Sequence, residues 1–185
     1  MTVVIGIKKD GIVYMGSDSC ASTSTYVDKV PCNEHGKISV MPNGVIFGLS
    51  GIANTKTFLN MNKKIFDFAN DGLTREGIVN HFIPKIRKLF SMNNLIWDGE
   101  SPVCMLMAKD DKLFNITDDW RVLSVKSYAA IGCGKGAAYS ALFKNNTNPE
   151  EDIINACKKA AEVSKGVEGP YVLINTKDRI YKEII

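Results

Sequence analysis

Strand-like and helix-like patterns run in blocks of their own kind along this chain, and that order restricts the fold more than any other feature. Thr2–Lys8 is apolar and β-branched, and Asp10-Gly11 then signals a two-residue hairpin that returns through Ile12–Ser17. A Ser/Thr-rich stretch, Ser19–Thr25, leads through a loop to Gly36. Lys37–Met41 and Val45–Leu49 read as a second hairpin around Pro42-Asn43-Gly44. Two helical patterns follow. Phe58, Met61, Ile65, Phe66, Phe68 and Ala69 carry the first, ended by Asn70-Asp71-Gly72, and Ile78 to Phe90 carry the second, where Pro84 predicts a kink or a split. Strands return at Val103–Ala108, Leu113–Thr117, Arg121–Val125 and Tyr128–Gly132. Helices are predicted over Lys135–Phe143 and Pro149–Ser164, and a last hairpin joins Val172–Asn175 to Ile180–Glu183. Strand runs alternating with helix pairs argue against a parallel βαβ fold. They favour an α+β fold of antiparallel sheets covered by helices.

The 185 residues fit one domain, 1–185, with a single core and no linker. A net charge of +3 without a clustered basic face excludes a nucleic-acid reader. No apolar run reaches the roughly 18 residues of a membrane span, and no secretory signal is visible. Five cysteines, Cys20, Cys32, Cys104, Cys133 and Cys157, form no Cys-x-x-Cys pair, so neither a disulfide framework nor a zinc knuckle is expected, and the reducing cytoplasm is the expected compartment. His35 and His81 are too few and too scattered for a metal site.

Gly132-Cys133-Gly134-Lys135-Gly136-Ala137 partly imitates a dinucleotide fingerprint. No acidic residue ends a second parallel strand, and Gly-Lys is followed by Gly136 rather than Ser or Thr, so no cofactor is expected.

Several local motifs, in this order, point to one family. Thr2-Val3-Val4-Ile5-Gly6-Ile7-Lys8-Lys9-Asp10-Gly11 resembles the start of a mature proteasome β subunit, and still more that of the bacterial HslV-type peptidases. Gly16-Ser17-Asp18 matches the family's Gly-x-Asp, and Gly36-Lys37-Ile38 fits its central lysine. Asn43 to Gly51 resembles its hairpin ending in Gly-x-x-Gly, and Ala130-Ile131-Gly132-Cys133-Gly134 resembles its Ala-Ile-Gly-Ser-Gly. The resemblance covers essentially the whole chain. It implies a four-layer α-β-β-α sandwich of the N-terminal-nucleophile hydrolase type and a threonine endopeptidase. It further implies self-association into rings enclosing a chamber, an ATP-dependent unfoldase as partner, and unfolded polypeptide as substrate.

An N-terminal threonine can be nucleophile and base at once, because its α-amine, of pKa about 8, takes the proton of its own hydroxyl. Met1 must be removed for this. On the resemblance Lys37 is a cation beside Thr2, Asp18 is its counter-charge, the Gly48 N–H is the oxyanion donor, and Cys133 replaces a serine close to the nucleophile. Ala21, Ser22, Ile46 and Ser50 would bind substrate. A further Asp and Ser that some β subunits carry before a late Gly-Gly have no match in Lys165-Gly166-Val167-Glu168-Gly169-Pro170, as in HslV-type enzymes. A shell subunit without activity, and a small-molecule amidase of the same type, are the alternatives.

Overall fold

The computed structural model describes residues 1–22, 27–28, 36–52, 54–96, 98–143 and 148–185, with 21, 22, 27 and 28 at the level of the backbone. Strands β1 (Val4–Lys9), β2 (Ile12–Ser17), β3 (Ala21–Ser22), β4 (Val27–Asp28), β5 (Ile38–Val40) and β6 (Ile46–Gly51) come first. Helix α1 (Asn54–Met61) and a 3₁₀ helix (Lys63–Ala69) lead to α2 (Arg75–Gly77), a π turn (Ile78–Phe82) and α3 (Ile83–Met92). After β7 (Val103–Lys109), β8 (Lys112–Ile116), β9 (Val122–Ser124) and β10 (Tyr128–Ile131), α4 (Lys135–Leu142) and α5 (Pro149–Val163) precede β11 (Tyr171–Asn175) and β12 (Lys182–Ile184).

Two five-stranded sheets result, ordered β10-β1-β2-β11-β12 and β5-β6-β7-β8-β9, each antiparallel throughout. Alternation along β1 sends Val3, Ile5 and Ile7 against α4 and α5, while Val4 faces the other sheet with Met15, Ile38, Ile46 and Leu106. Along β6 the residues on one face, Val45, Phe47 and Leu49, meet Phe66, Phe82 and Phe90 of the other helical layer. Every central strand is therefore covered on both faces, which is why these segments read as continuous apolar runs. The layers are helix, sheet, sheet, helix: the expected α-β-β-α sandwich.

The first helix differs from expectation at one place. The first apolar stripe breaks at Asn62, whose side-chain amide donates to Phe58 O at 2.9 Å; Leu59 is buried there and Met61 is 77% exposed. Next to Pro84 the second helix is divided, as expected, into α2, a π turn and α3. The chain widens to a π turn that runs directly into α3, where Ile83 N–H bonds Ile78 O, so the bond that Pro84 lacks falls where the helix has already been unwound.

Candidate active site

The first strand begins two residues later than its pattern predicts. Thr2 and Val3 leave the ladder and are held by other partners. Val3 N–H donates to Asp18 Oδ1 at 2.8 Å, and Gly134 N–H donates to Thr2 O at 3.2 Å. Gly132 makes this docking possible. Its φ is +96°, and a Cβ there would run into the Thr2 carbonyl.

Asp18 follows β2 and is fully buried. Oδ1 accepts from Val3, while Oδ2 accepts from Cys20 N–H at 3.2 Å and from Lys37 Nζ at 2.5 Å. Burial pushes the Asp18 carboxyl above the ordinary carboxylate value, against the pull of Lys37 and of both backbone donors. Lys37 lies at the start of β5. Its N–H donates to Ser17 Oγ at 3.3 Å and its carbonyl accepts from Leu49 N–H at 3.2 Å, so both sheets hold it. Its ammonium also donates to Met1 O at 2.9 Å. Thr2 Oγ1 donates to that same oxygen at 2.6 Å. Thr2 and Lys37, 35 positions apart in sequence, thus meet at one carbonyl, with Asp18 behind the lysine.

Cys133 meets them from β10. Its exposed thiol accepts from Thr2 N–H at 3.2 Å and lies 3.5 Å from Thr2 O. Ser50, half-buried on β6, joins the group too: its Oγ lies 3.0 Å from where a Cβ on Gly132 would stand.

Two expected residues lie elsewhere. Ile46 is fully buried between the sheets with Val4 and Met15, so it lines no substrate pocket. Gly48 sits mid-ladder, opposite Ile38 on one side and Leu106 on the other, with Val4 packed on it. Because Leu49 N–H points to β5, the N–H of Gly48 points to β7 and is spent inside the sheet. The same parity turns the N–H of Gly51 to the β5 side, where that strand has already ended. Gly51 is exposed, its φ is +142°, and a Cβ would strike the Pro102 carbonyl. Both glycines belong to the Gly-x-x-Gly motif, and counting parity from Leu49 separates them. Ala21 and Ser22 form the short strand β3, opposite Asp28 and Val27, and their side chains lie outside the described residues, as do Cys32 and His35.

Among the described residues no group of three His, Cys, Asp or Glu side chains could hold a metal. No described helix is long and apolar enough to cross a membrane.

Two facing antiparallel sheets between helical layers, with an early threonine docked at their end beside a Lys–Asp pair whose carboxylate is buried, have the fold of the proteasome-like N-terminal-nucleophile hydrolases. In particular, the chain is similar to BPH of Thiobacillus denitrificans, solved in complex with epoxomicin, at a TM-score of 0.78 and 17% identity, covering 94% of this chain and 97% of that one. It is also similar to the eukaryotic HslV of Trypanosoma brucei, at a TM-score of 0.68 and 14% identity, covering 94% and 98%. No protein-family profile and no curated protein matches it in sequence. The likeness is therefore one of fold.

Proposed function

We propose that this chain is a threonine-type endopeptidase whose nucleophile is Thr2 once Met1 has been removed. The freed α-amine takes the proton of Oγ1, and Oγ1 attacks the carbonyl carbon of a peptide bond. The developing oxyanion is met by Gly51 N–H, which replaces Gly48 in that role, and by the field of Lys37. The amine returns the proton to the leaving nitrogen, and water then hydrolyses the ester on Thr2. Asp18 holds Lys37 in place, and Cys133 offers an acceptor to the amine. The observation that carries this reading is the pair of contacts on Met1 O, from Thr2 Oγ1 at 2.6 Å and Lys37 Nζ at 2.9 Å, which makes hydroxyl and ammonium neighbours at a carbonyl.

An extended substrate would add along the backbone of β3 and the stretch ending at Gly51, with Ser50 beside it. The likeness of fold to HslV supports assembly into rings enclosing a chamber; unfolded polypeptide as substrate, an ATP-driven unfoldase as partner and work in the cytoplasm belong to the same proposal.

The test is threefold. Intact mass should show a species lighter by one methionine. The wild type should cleave a fluorogenic peptide and Thr2→Ala should not. Epoxomicin, chosen because BPH was solved with it, should label Thr2. Turnover retained in Thr2→Ala overturns the mechanism.

A further inference from the structure

Ser164 belongs to no motif of the chain, yet its hydroxyl lies 3.3 Å from the thiol of Cys133. It caps the C-terminal end of α5, a helix started by Asn148, whose side chain accepts from Glu150 N–H. Two backbone bonds fix it there: its N–H donates to Ala160 O at 3.0 Å, and its carbonyl accepts from Val167 N–H at 3.0 Å. The loop that follows is tied to the site from the other side, since Glu168 O accepts from Ser19 N–H at 3.2 Å. Ser164 is thus held in place by its backbone, and its hydroxyl is left to interact with the site.

The donors around Cys133 can be ordered. The thiol accepts from Thr2 N–H, so its own proton goes elsewhere. Thr2 O is a poor choice, 3.5 Å away and already occupied by Gly134 N–H. Ser164 Oγ is nearer and a better acceptor than any sulfur. Its own proton has an outlet, Met1 Sδ at 3.6 Å. The chain of donors therefore runs from Thr2 N–H to Cys133 S–H to Ser164 O–H, and ends on the residue that must leave.

Resting on the peptidase reading above, we infer that Ser164 is a positioning residue: it takes the thiol proton of Cys133 and so leaves the sulfur lone pairs facing the amine of Thr2. Without it the thiol proton turns toward the amine or its carbonyl, and the amine loses an oriented acceptor. The charged groups on the segments meeting there are Asp18, Lys37, Lys135 at the start of α4, Lys158, Lys159 and Glu162 near the end of α5, and Lys165 and Glu168 in the loop after it, and none of them is altered by the substitution at Ser164.

Two measurements test this. In the first, kcat/KM on a fluorogenic peptide is followed against pH for wild type, Ser164→Ala and Ser164→Thr, each with Cys133 and with Cys133→Ala. Ser164→Ala should lower kcat about fivefold, the worth of one ordinary hydrogen bond, with KM unchanged and the acid limb moved to lower pH. Ser164→Thr should restore both, and in the Cys133→Ala background Ser164→Ala should do nothing more. Equal losses in both backgrounds overturn the inference. In the second, iodoacetamide alkylation of Cys133 is followed by mass spectrometry of its peptide across pH, in Thr2→Ala protein that turns over nothing. Loss of the acceptor should move the alkylation midpoint to lower pH in Ser164→Ala, and Ser164→Thr should move it back. An unchanged midpoint overturns the positioning role alone. A wild type that hydrolyses no peptide, with the midpoint shifted, overturns the peptidase reading and with it the role in catalysis.

Discussion

Lys37 Nζ lies 2.5 Å from Asp18 Oδ2 and 2.9 Å from the carbonyl oxygen of Met1, so one ammonium links a fully buried carboxylate to the residue preceding Thr2. The buried carboxylate would not be tolerated there as an anion without the ammonium. Removing one member of such a pair costs about 3–5 kcal/mol. The pair therefore makes the backbone around Thr2 depend on two residues that a small-molecule view would count only as electrostatics.

Lys37→Ala should lower kcat/KM by roughly 100-fold or more, as loss of a charge aimed at a developing oxyanion does. Lys8→Ala and Lys9→Ala should leave it nearly unchanged. Both sit at the far end of β1, six or seven residues from Thr2, which is about 20 Å of extended chain. Fluorogenic-peptide kinetics on the three variants, with melting temperatures as controls, decide the matter. Equal activity in all three would make Lys37 an ordinary lysine.

Asp18 predicts a pH dependence of stability. Its carboxyl is raised above 3.8 in the folded state, burial outweighing Lys37. Between the ordinary and the raised value the folded chain binds more protons than the unfolded one, so the contribution of this group is present at low pH and is lost as pH rises through the raised value. Tm of wild type minus Tm of Asp18→Asn should accordingly grow as pH falls from 7 toward 4. A difference that shrinks on acidification would mean that Lys37 outweighs burial.

Lys109 is buried at the end of β7, where Nζ donates to Ala69 O at 2.5 Å and Asn70 O at 3.2 Å, closing the end of the 3₁₀ helix. Lys109→Met keeps the stem and removes both donors. It should destabilise the fold by about 2 kcal/mol, roughly one net hydrogen bond per carbonyl. It should leave peptide hydrolysis intact, because Lys109 ends β7 on the side of the sheet opposite to Gly51. Denaturant unfolding without loss of stability would remove its structural role.

Static light scattering should find an assembly on the order of a dozen subunits at micromolar concentration, the size that a ring-forming fold of this type implies. A 20 kDa monomer would set aside the chambered peptidase and favour the small-molecule amidase.

Element order and hairpin turns were legible in the chain because each rests on local chemistry, whereas the early threonine stood out only through the motifs that resemble the family. Asp10-Gly11 turns, Pro149 opens a helix, and strand runs separated by paired helices admit few layer arrangements. Asp18 and Lys37 stood out only through the resemblance, since each alone reads as a turn aspartate or a lysine at the start of a strand. What local chemistry left open was which face of each strand meets which layer. With both sheets covered on both sides, apolar runs lose the alternation that would have marked Ile46 as core and Ser50 as site. Only the register of β6 against β5 and β7 decided that the Gly48 N–H turns to β7 while that of Gly51 turns to the β5 side. Only the packing of the helix that ends at Val163 brought Ser164 to Cys133, 31 residues away. Hydrogen-bond partners chosen across layers leave no period in a sequence, because their spacing is set by how sheets and helices stack and not by the repeat of any one element.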